Sequence, residues 1–259
     1  MLAAEQPVAE RLIDDPFARL VVDDDAIAAA RADEALQHVI RLRTRYVDDA
    51  ITTFVTADPD RHRQVVLLGA GLDARAYRMT VPATFFELDF PATLARKGEV
   101  LAAHSPSAPR TMVPVDLAAE SFVPPLIDAG FDPARPAIVV WEGVSMYLSA
   151  AAAEAVVAQV GSVVVVGSQL VADYVEMAWF KDSGFERNTA SIARQLDDGG
   201  ERLKAGVSDM RSTLDANGFD VLDDVATEDL RPRYGLDPRE RFYPARMVTA
   251  TRRASSTAG

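Results

Sequence analysis

Short apolar runs alternate with stretches of helical spacing along most of this chain. Positions 64–68, 84–88, 112–115, 137–141 and 162–167 are short, mostly apolar runs, as expected of parallel strands buried on both faces. Between them the spacing predicts helices over 72–78, 91–102, 124–129 and 150–160. Strand, helix, strand, repeated, implies right-handed crossovers and a mostly parallel sheet. Further on, 209–217 is helix-like up to Gly218, and 219–222 and 247–251 are two more strand candidates, seven in all. The first sixty residues have a different rhythm. Asp23 to Asp25 can cap the alanine-rich run 26–35, and Leu36, Val39, Ile40, Val47, Ile51 and Phe54 recur at helical intervals until Asp58, Pro59 and Asp60 break the pattern. The expected organisation is an N-terminal helical segment, 1–60, and an α/β domain, 61–259. Positions 173–205 hold Trp179, Phe180 and Phe185 among charges. They read either as an insertion that covers a substrate cavity or as an ordinary helical connection.

Composition narrows the chemistry. A chain of 259 residues, 49% hydrophobic, suits one sizeable α/β domain. It contains no cysteine, which excludes disulfides, a thiol nucleophile and thiolate metal sites, and fits a reducing cytoplasm. The three histidines, His38, His62 and His104, are far apart, so no metal site is expected. A net charge of −12 argues against general nucleic-acid binding. No apolar run has the length of a membrane span, and no basic region followed by an apolar run marks a secretory signal.

The polar residues fall where such a sheet needs them. Ligands of open α/β sheets bind outside the carboxyl ends of the strands. There the chain places Gly69-Ala-Gly71, then Glu87-Leu-Asp89, then Asp116-Leu117, then Glu142-Gly143. Glycines let a ligand approach the main chain. A carboxylate after the second strand can accept two ribose hydroxyls. Asp116 is placed for an adenine, and Arg43 can pair with a ligand carboxylate.

Two cofactor classes compete for this crevice. Gly69, Gly71 and Ala74 satisfy the G-x-G-x-x-G/A dinucleotide pattern, with Glu87 and Asp89 18 and 20 residues beyond Gly69, so an NAD(P)-dependent oxidoreductase is one reading. Against it, Asp73 would repel a pyrophosphate at the start of the helix. The predicted helix carries Arg75, Tyr77 and Arg78, and no later Tyr-x-x-x-Lys or His–Asp arrangement offers hydride-transfer chemistry. S-adenosylmethionine has no phosphate and meets no such obstacle.

More specific stretches bear on the choice. Arg43-Thr-Arg-Tyr-Val-Asp-Asp-Ala-Ile51, Leu68-Gly-Ala-Gly-Leu-Asp73, Phe86-Glu-Leu-Asp-Phe-Pro91 with Lys97, Asp116-Leu117 and Trp141-Glu-Gly-Val-Ser-Met-Tyr-Leu148 occur in this order. Together they resemble the S-adenosylmethionine-dependent O-methyltransferases of the leucine carboxyl methyltransferase family, firmly over 12–170. The resemblance implies a Rossmann-like class I methyltransferase sandwich, a seven-stranded, mostly parallel sheet with helices on both faces. It implies that Arg43 binds the cofactor carboxylate, with Arg45 two residues on as the competing register. Gly69 and Gly71 would line the methionine part, and Asp89 would hold the ribose; Asp73, on the same loop, is by its position a further candidate for contact with the cofactor. Asp116 and Leu117 would frame the adenine, Glu142 would approach the amino end, and Tyr147 would shape the reaction cavity.

The reaction implied is in-line methyl transfer to oxygen. A carboxylate acceptor needs no base, whereas a hydroxyl does, and only Glu142 and Tyr147 are placed to offer one. The expected substrate is a small acid or natural product, with a protein C-terminus as the alternative, as for the eukaryotic members. A binding protein that keeps the fold without activity is the remaining class.

Overall fold

The computed structural model describes residues 12–20, 34–58, 60–176, 207, 209–239, 243 and 245–254. Its centre is a seven-stranded sheet: β1 (Arg63–Leu68), β2 (Ala83–Asp89), β3 (Arg110–Pro114), β4 (Ala137–Trp141), β5 (Gln169–Val175), β6 (Phe219–Ala226) and β7 (Ala245–Arg252). The strand order is β3-β2-β1-β4-β5-β7-β6. β1 pairs in parallel with β2 on one side and β4 on the other, while β7 runs antiparallel to both β5 and β6. The order therefore reverses between β1 and β4, and a crevice opens above their carboxyl ends.

Alternation along β1 builds two cores. Val66 and Leu68 face one side, with Phe86, Val139 and Trp141. They are covered by α4 (Val123–Asp128), α5 (Ala150–Val163) and α6 (Met210–Ala216) through Leu126, Val156, Val160 and Leu214. Val65 and Leu67 face the other side, with Val140 and Val171. There they meet Leu42, Val47 and Ile51 of α1 (Glu34–Thr56). These three α1 side chains have no exposure, and burying each contributes roughly 1.5–3 kcal/mol. Their spacing is helical, so the same turns of α1 also bring Arg43 and Thr44 to the crevice and Asp48 to Arg75 and Arg78 behind it.

Several predicted boundaries move. The fifth strand is not 162–167. α5 runs on through Val163, Val166 is half exposed, and Gly167 turns the chain at a φ of +84° before β5 begins at Gln169. The helix predicted at 72–78 is confined to α2 (Arg75–Arg78), because Leu72 to Ala74 form a turn that Asp73 closes onto Arg75. β3 begins two residues before the predicted 112. α3 (Pro91–Val100) keeps its predicted start at a proline, which suits a first helical turn. Positions 173–175 belong to β5. The remainder of the expected insertion over 177–205, and the alanine-rich run before residue 34, lie outside the described residues.

Candidate active site

A cavity of about 300 Å³ lies over the β1–β4 switch, lined by Gly69 to Arg75 and by Arg43, Thr44, Glu142, Gly143, Arg78 and Asp15. Its floor is made by two turns that require glycine. Gly69 follows β1 at a φ of +70°, where an added Cβ would collide with Val144 Cγ2. Gly143 follows Glu142 at +72°, and a Cβ there would lie 3.2 Å from Arg43 Nη2. Side chains rarely adopt this backbone region, and here they would also fill the cavity.

Charged groups from four elements converge on its wall. Arg43 of α1 donates from Nε to Glu142 Oε1 at 3.0 Å and from Nη1 to Asp173 Oδ2 at 2.9 Å. Thr44 Oγ1 also donates to Glu142 Oε1, at 3.3 Å. Arg75 Nη1 lies 2.8 Å from Glu142 Oε2, a charge contact rather than an aligned hydrogen bond. Burial alone would raise the Glu142 carboxyl, but Arg75 and Arg43 hold it down to about 2. Asp173 goes the other way: burial pushes it up, against the pull of Arg43 and the Gly143 N–H. Behind this wall Asp48 of α1 ties α2 down, accepting from Arg75 Nε at 2.7 Å and from Arg78 Nη1 and Nη2 at 2.7 and 2.8 Å.

The expected residues divide into two groups. Arg43, Gly69, Gly71, Asp73 and Glu142 all line the cavity. Asp73 does so with its oxygens already taken, one by the Arg75 main-chain N–H at 2.7 Å and the other by the Arg75 guanidinium. Arg45 points elsewhere, to Asp49 at 2.8 Å and over the Tyr234 ring, so of the two arginines Arg43 faces the cavity. Asp89, Asp116, Leu117 and Tyr147 are not among the lining residues. Asp89 nevertheless reaches the loop, because its Oδ2 accepts the Gly71 N–H at 2.7 Å. Asp116 caps the next turn by accepting from Ala118 N at 2.8 Å, and Leu117 packs on the core. Tyr147 lies in a 3-10 turn, Ser145–Tyr147, that follows the glycine. Glu87 is a structural group: it is wholly buried between Lys97 Nζ at 3.1 Å and Arg110 Nη2 at 2.8 Å.

Two residues of the wall were not singled out from sequence. Arg75 could have been found as the partner Asp73 needs. Asp173 is a lone carboxylate inside the apolar strand Gln-Leu-Val-Ala-Asp-Tyr-Val. The stronger apolar run at 162–167 masks it, because that run and not 169–175 has the signature of a buried strand.

The donor set suits a zwitterion. Three guanidiniums and three carboxylates line the cavity, so neither a bare anion nor a bare cation is favoured. Arg43 Nη2 has no hydrogen-bond partner among the described residues and is free to take a ligand carboxylate. A pyrophosphate fits less well, since α2 has only four residues and its first N–H is already capped by a carboxylate.

Comparison with known proteins agrees with this geometry. A model of the leucine carboxyl methyltransferase family matches residues 1–161. A protein of Mycolicibacterium smegmatis, named as a candidate S-adenosyl-L-methionine-dependent methyltransferase, is 35% identical over 194 residues, covering 68% of this chain and 63% of its own. The chain thus spans less than two thirds of that relative's length. A protein of Mycobacterium avium with the same designation is 30% identical over 97% of this chain and 91% of its own. Among solved structures, a candidate methyltransferase from Thermobifida fusca superposes with a TM-score of 0.63 at 16% identity, over 96% of this chain and 98% of its own, a likeness of fold. Order of strands, glycine turns and matched sequence agree: the chain belongs to the leucine carboxyl methyltransferase family.

Proposed function

We propose that this protein is an S-adenosylmethionine-dependent O-methyltransferase acting on a carboxylate, or less favourably a hydroxyl, of a small acid or natural product. The observation that carries the reading is Arg43, partly buried at the β1–β4 switch beside two glycine turns, with Nη2 directed at no described side chain. Arg43 holds the cofactor carboxylate, Gly69 and Gly71 give the methionine part room, and Glu142 faces its amino end. Asp89 takes the ribose hydroxyls, and Asp116 with Leu117 borders the adenine. When bound, the cofactor supplies a methyl carbon activated by its sulfonium. The protein's own contribution is alignment and exclusion of water, which in favourable cases is worth roughly 7–11 kcal/mol.

Carboxylate acceptors are favoured for a reason of charge. A general base must have a pKa near the working pH. Glu142 is held down to about 2 and is a poor acceptor for a hydroxyl proton. A carboxylate needs no deprotonation. A chain without cysteine suits the reducing cytoplasm, where we place it.

Titration calorimetry with S-adenosylhomocysteine and with NADH tests the cofactor. Binding of the first and not the second is expected, and the reverse result overturns the assignment. Incubation of candidate acids with methyl-labelled cofactor tests the acceptor. A carboxyl ester releases labelled methanol in mild alkali, whereas a methyl ether keeps its label.

A further inference from the structure

Asp173 is a buried carboxylate with no part in the reading above. It is 1% exposed in the second half of β5 and touches three other pieces of the site. Its Oδ2 takes Arg43 Nη1 at 2.9 Å, and its Oδ1 takes the Gly143 N–H at 2.7 Å. Its main-chain oxygen accepts from Ser145 Oγ at 2.8 Å. A carboxylate placed so costs several kcal/mol of desolvation unless it is paired, and strand β5 would be filled more simply by another apolar residue. The pairing has a directional consequence. Glu142 fixes Arg43 at Nε and Asp173 fixes it at Nη1, so the planar guanidinium is held at two of its three nitrogens. The third, Nη2, is turned toward Gly143, whose missing side chain leaves that edge open.

We propose that Asp173 is a positioning residue that aims Arg43 at the carboxylate of the cofactor's amino-acid end while holding the Gly143 turn out of the way. The inference rests on the cofactor reading above. Asp173 does not touch the ligand. It acts through Arg43, and its loss damages recognition of the amino-acid end alone. In Asp173→Asn the amide oxygen still accepts the Gly143 N–H, but the amide nitrogen then faces Arg43 Nη1, donor against donor, and Arg43 turns away.

The test uses two ligands that differ only at that end. S-adenosylhomocysteine carries the amino-acid group, and 5′-methylthioadenosine lacks it. Calorimetry on Asp173→Asn is expected to show about tenfold weaker S-adenosylhomocysteine binding, in line with loss of an oriented charge-assisted contact, with 5′-methylthioadenosine binding unchanged. In an Arg43→Ala background the same substitution is expected to have no further effect on S-adenosylhomocysteine. Equal weakening of both ligands overturns the proposal, since that is what a general structural role produces. So does an additive loss in the Arg43→Ala background, or unchanged S-adenosylhomocysteine binding. If Asp173→Asn does not fold, Asp173→Glu is measured instead, with the same selective loss expected from a longer arm that displaces Nη1. Failure of the wild-type protein to bind either ligand overturns the cofactor reading itself, whereas wild-type binding with an indifferent Asp173→Asn overturns only this inference.

Discussion

Asp89 shows how one side chain serves both the loop and the ligand. Its Oδ2 accepts the Gly71 N–H at 2.7 Å and its Oδ1 the Phe90 N–H at 2.7 Å. Each oxygen keeps a further lone pair for a ribose hydroxyl. Asp89→Ala is expected to weaken S-adenosylhomocysteine by tenfold or more, from the loss of a charge-assisted contact worth about 1.5–3 kcal/mol. Asp89→Asn is expected to lose less, because its amide oxygen still accepts from Gly71. Calorimetry on the two variants decides it, and an unchanged dissociation constant in Asp89→Ala places the ribose contact on another residue. At this scale the sequence was a good guide to which residues are polar at the strand exits and a poor one to what they do. Glu87 and Asp89 are two residues apart, equally acidic and on the same face of β2, yet Glu87 lies inside the strand, covered by Lys97 and Arg110, while Asp89 ends the strand at the crevice. Asp73 looked like a cofactor ligand, but its oxygens are engaged by Arg75, a partner two residues away that only the geometry of the turn reveals.

Elements β2, β3 and α3 are joined by the cluster around Glu87. Lys97 Nζ is 3.1 Å from Oε1, and Arg110 donates from Nε and Nη2 to Oε2 at 3.0 and 2.8 Å. One carboxylate therefore faces two cations, and the members are not equivalent. Glu87→Gln leaves a wholly buried lysine without a counter-charge, and a loss of about 3–5 kcal/mol is expected. Lys97→Met leaves Glu87 with both Arg110 hydrogen bonds and removes a buried charge, so a loss of about 1–2 kcal/mol is expected. Urea midpoints at unchanged slope measure both, and equal losses would show that Arg110 alone does not neutralise Glu87. Element boundaries were least legible where composition misled. The run Val163 to Val166 is β-branched throughout and reads as a strand. Its first residue nevertheless ends α5, a helix held close to the Asn217 turn because a Cβ on Gly161 would lie 2.7 Å from Asn217 O. The true β5 is interrupted by Asp173, and that interruption weakened its apolar signature. By contrast the apolar run 137–141 coincides with β4, which is apolar on both faces and flanked by a proline and a glutamate.

The whole molecule carries the charge pattern of its site into its response to acid. Glu142 is held near 2 in the folded protein, against an ordinary value of 4.5. A carboxylate whose folded pKa is depressed contributes stability that is fully present above its unfolded value and lost as pH falls through its folded value. For Glu142 that window runs from about 4.5 down to about 2, and the contribution is about 3 kcal/mol at neutral pH. Asp173 acts with the opposite sign. Its folded pKa is raised, so it costs stability at pH above its folded value and returns it as pH falls toward its ordinary value of 3.8. Acidification thus first relieves Asp173 and afterwards releases Glu142 from Arg43 and Arg75. Of the two guanidiniums Arg75 is buried and Arg43 partly so, and both remain charged throughout, so protonated Glu142 leaves them facing each other across the cavity wall. Thermal unfolding of wild type and Glu142→Gln between pH 7 and pH 2.5 separates these effects. The stability gap between the two proteins is expected to be constant from pH 7 to about pH 5 and to close progressively below 4.5. A gap that persists undiminished at pH 2.5 would mean that Arg43 and Arg75 do not hold the Glu142 carboxylate. The polar wall would then be maintained by the α1–α2 clasp at Asp48 alone.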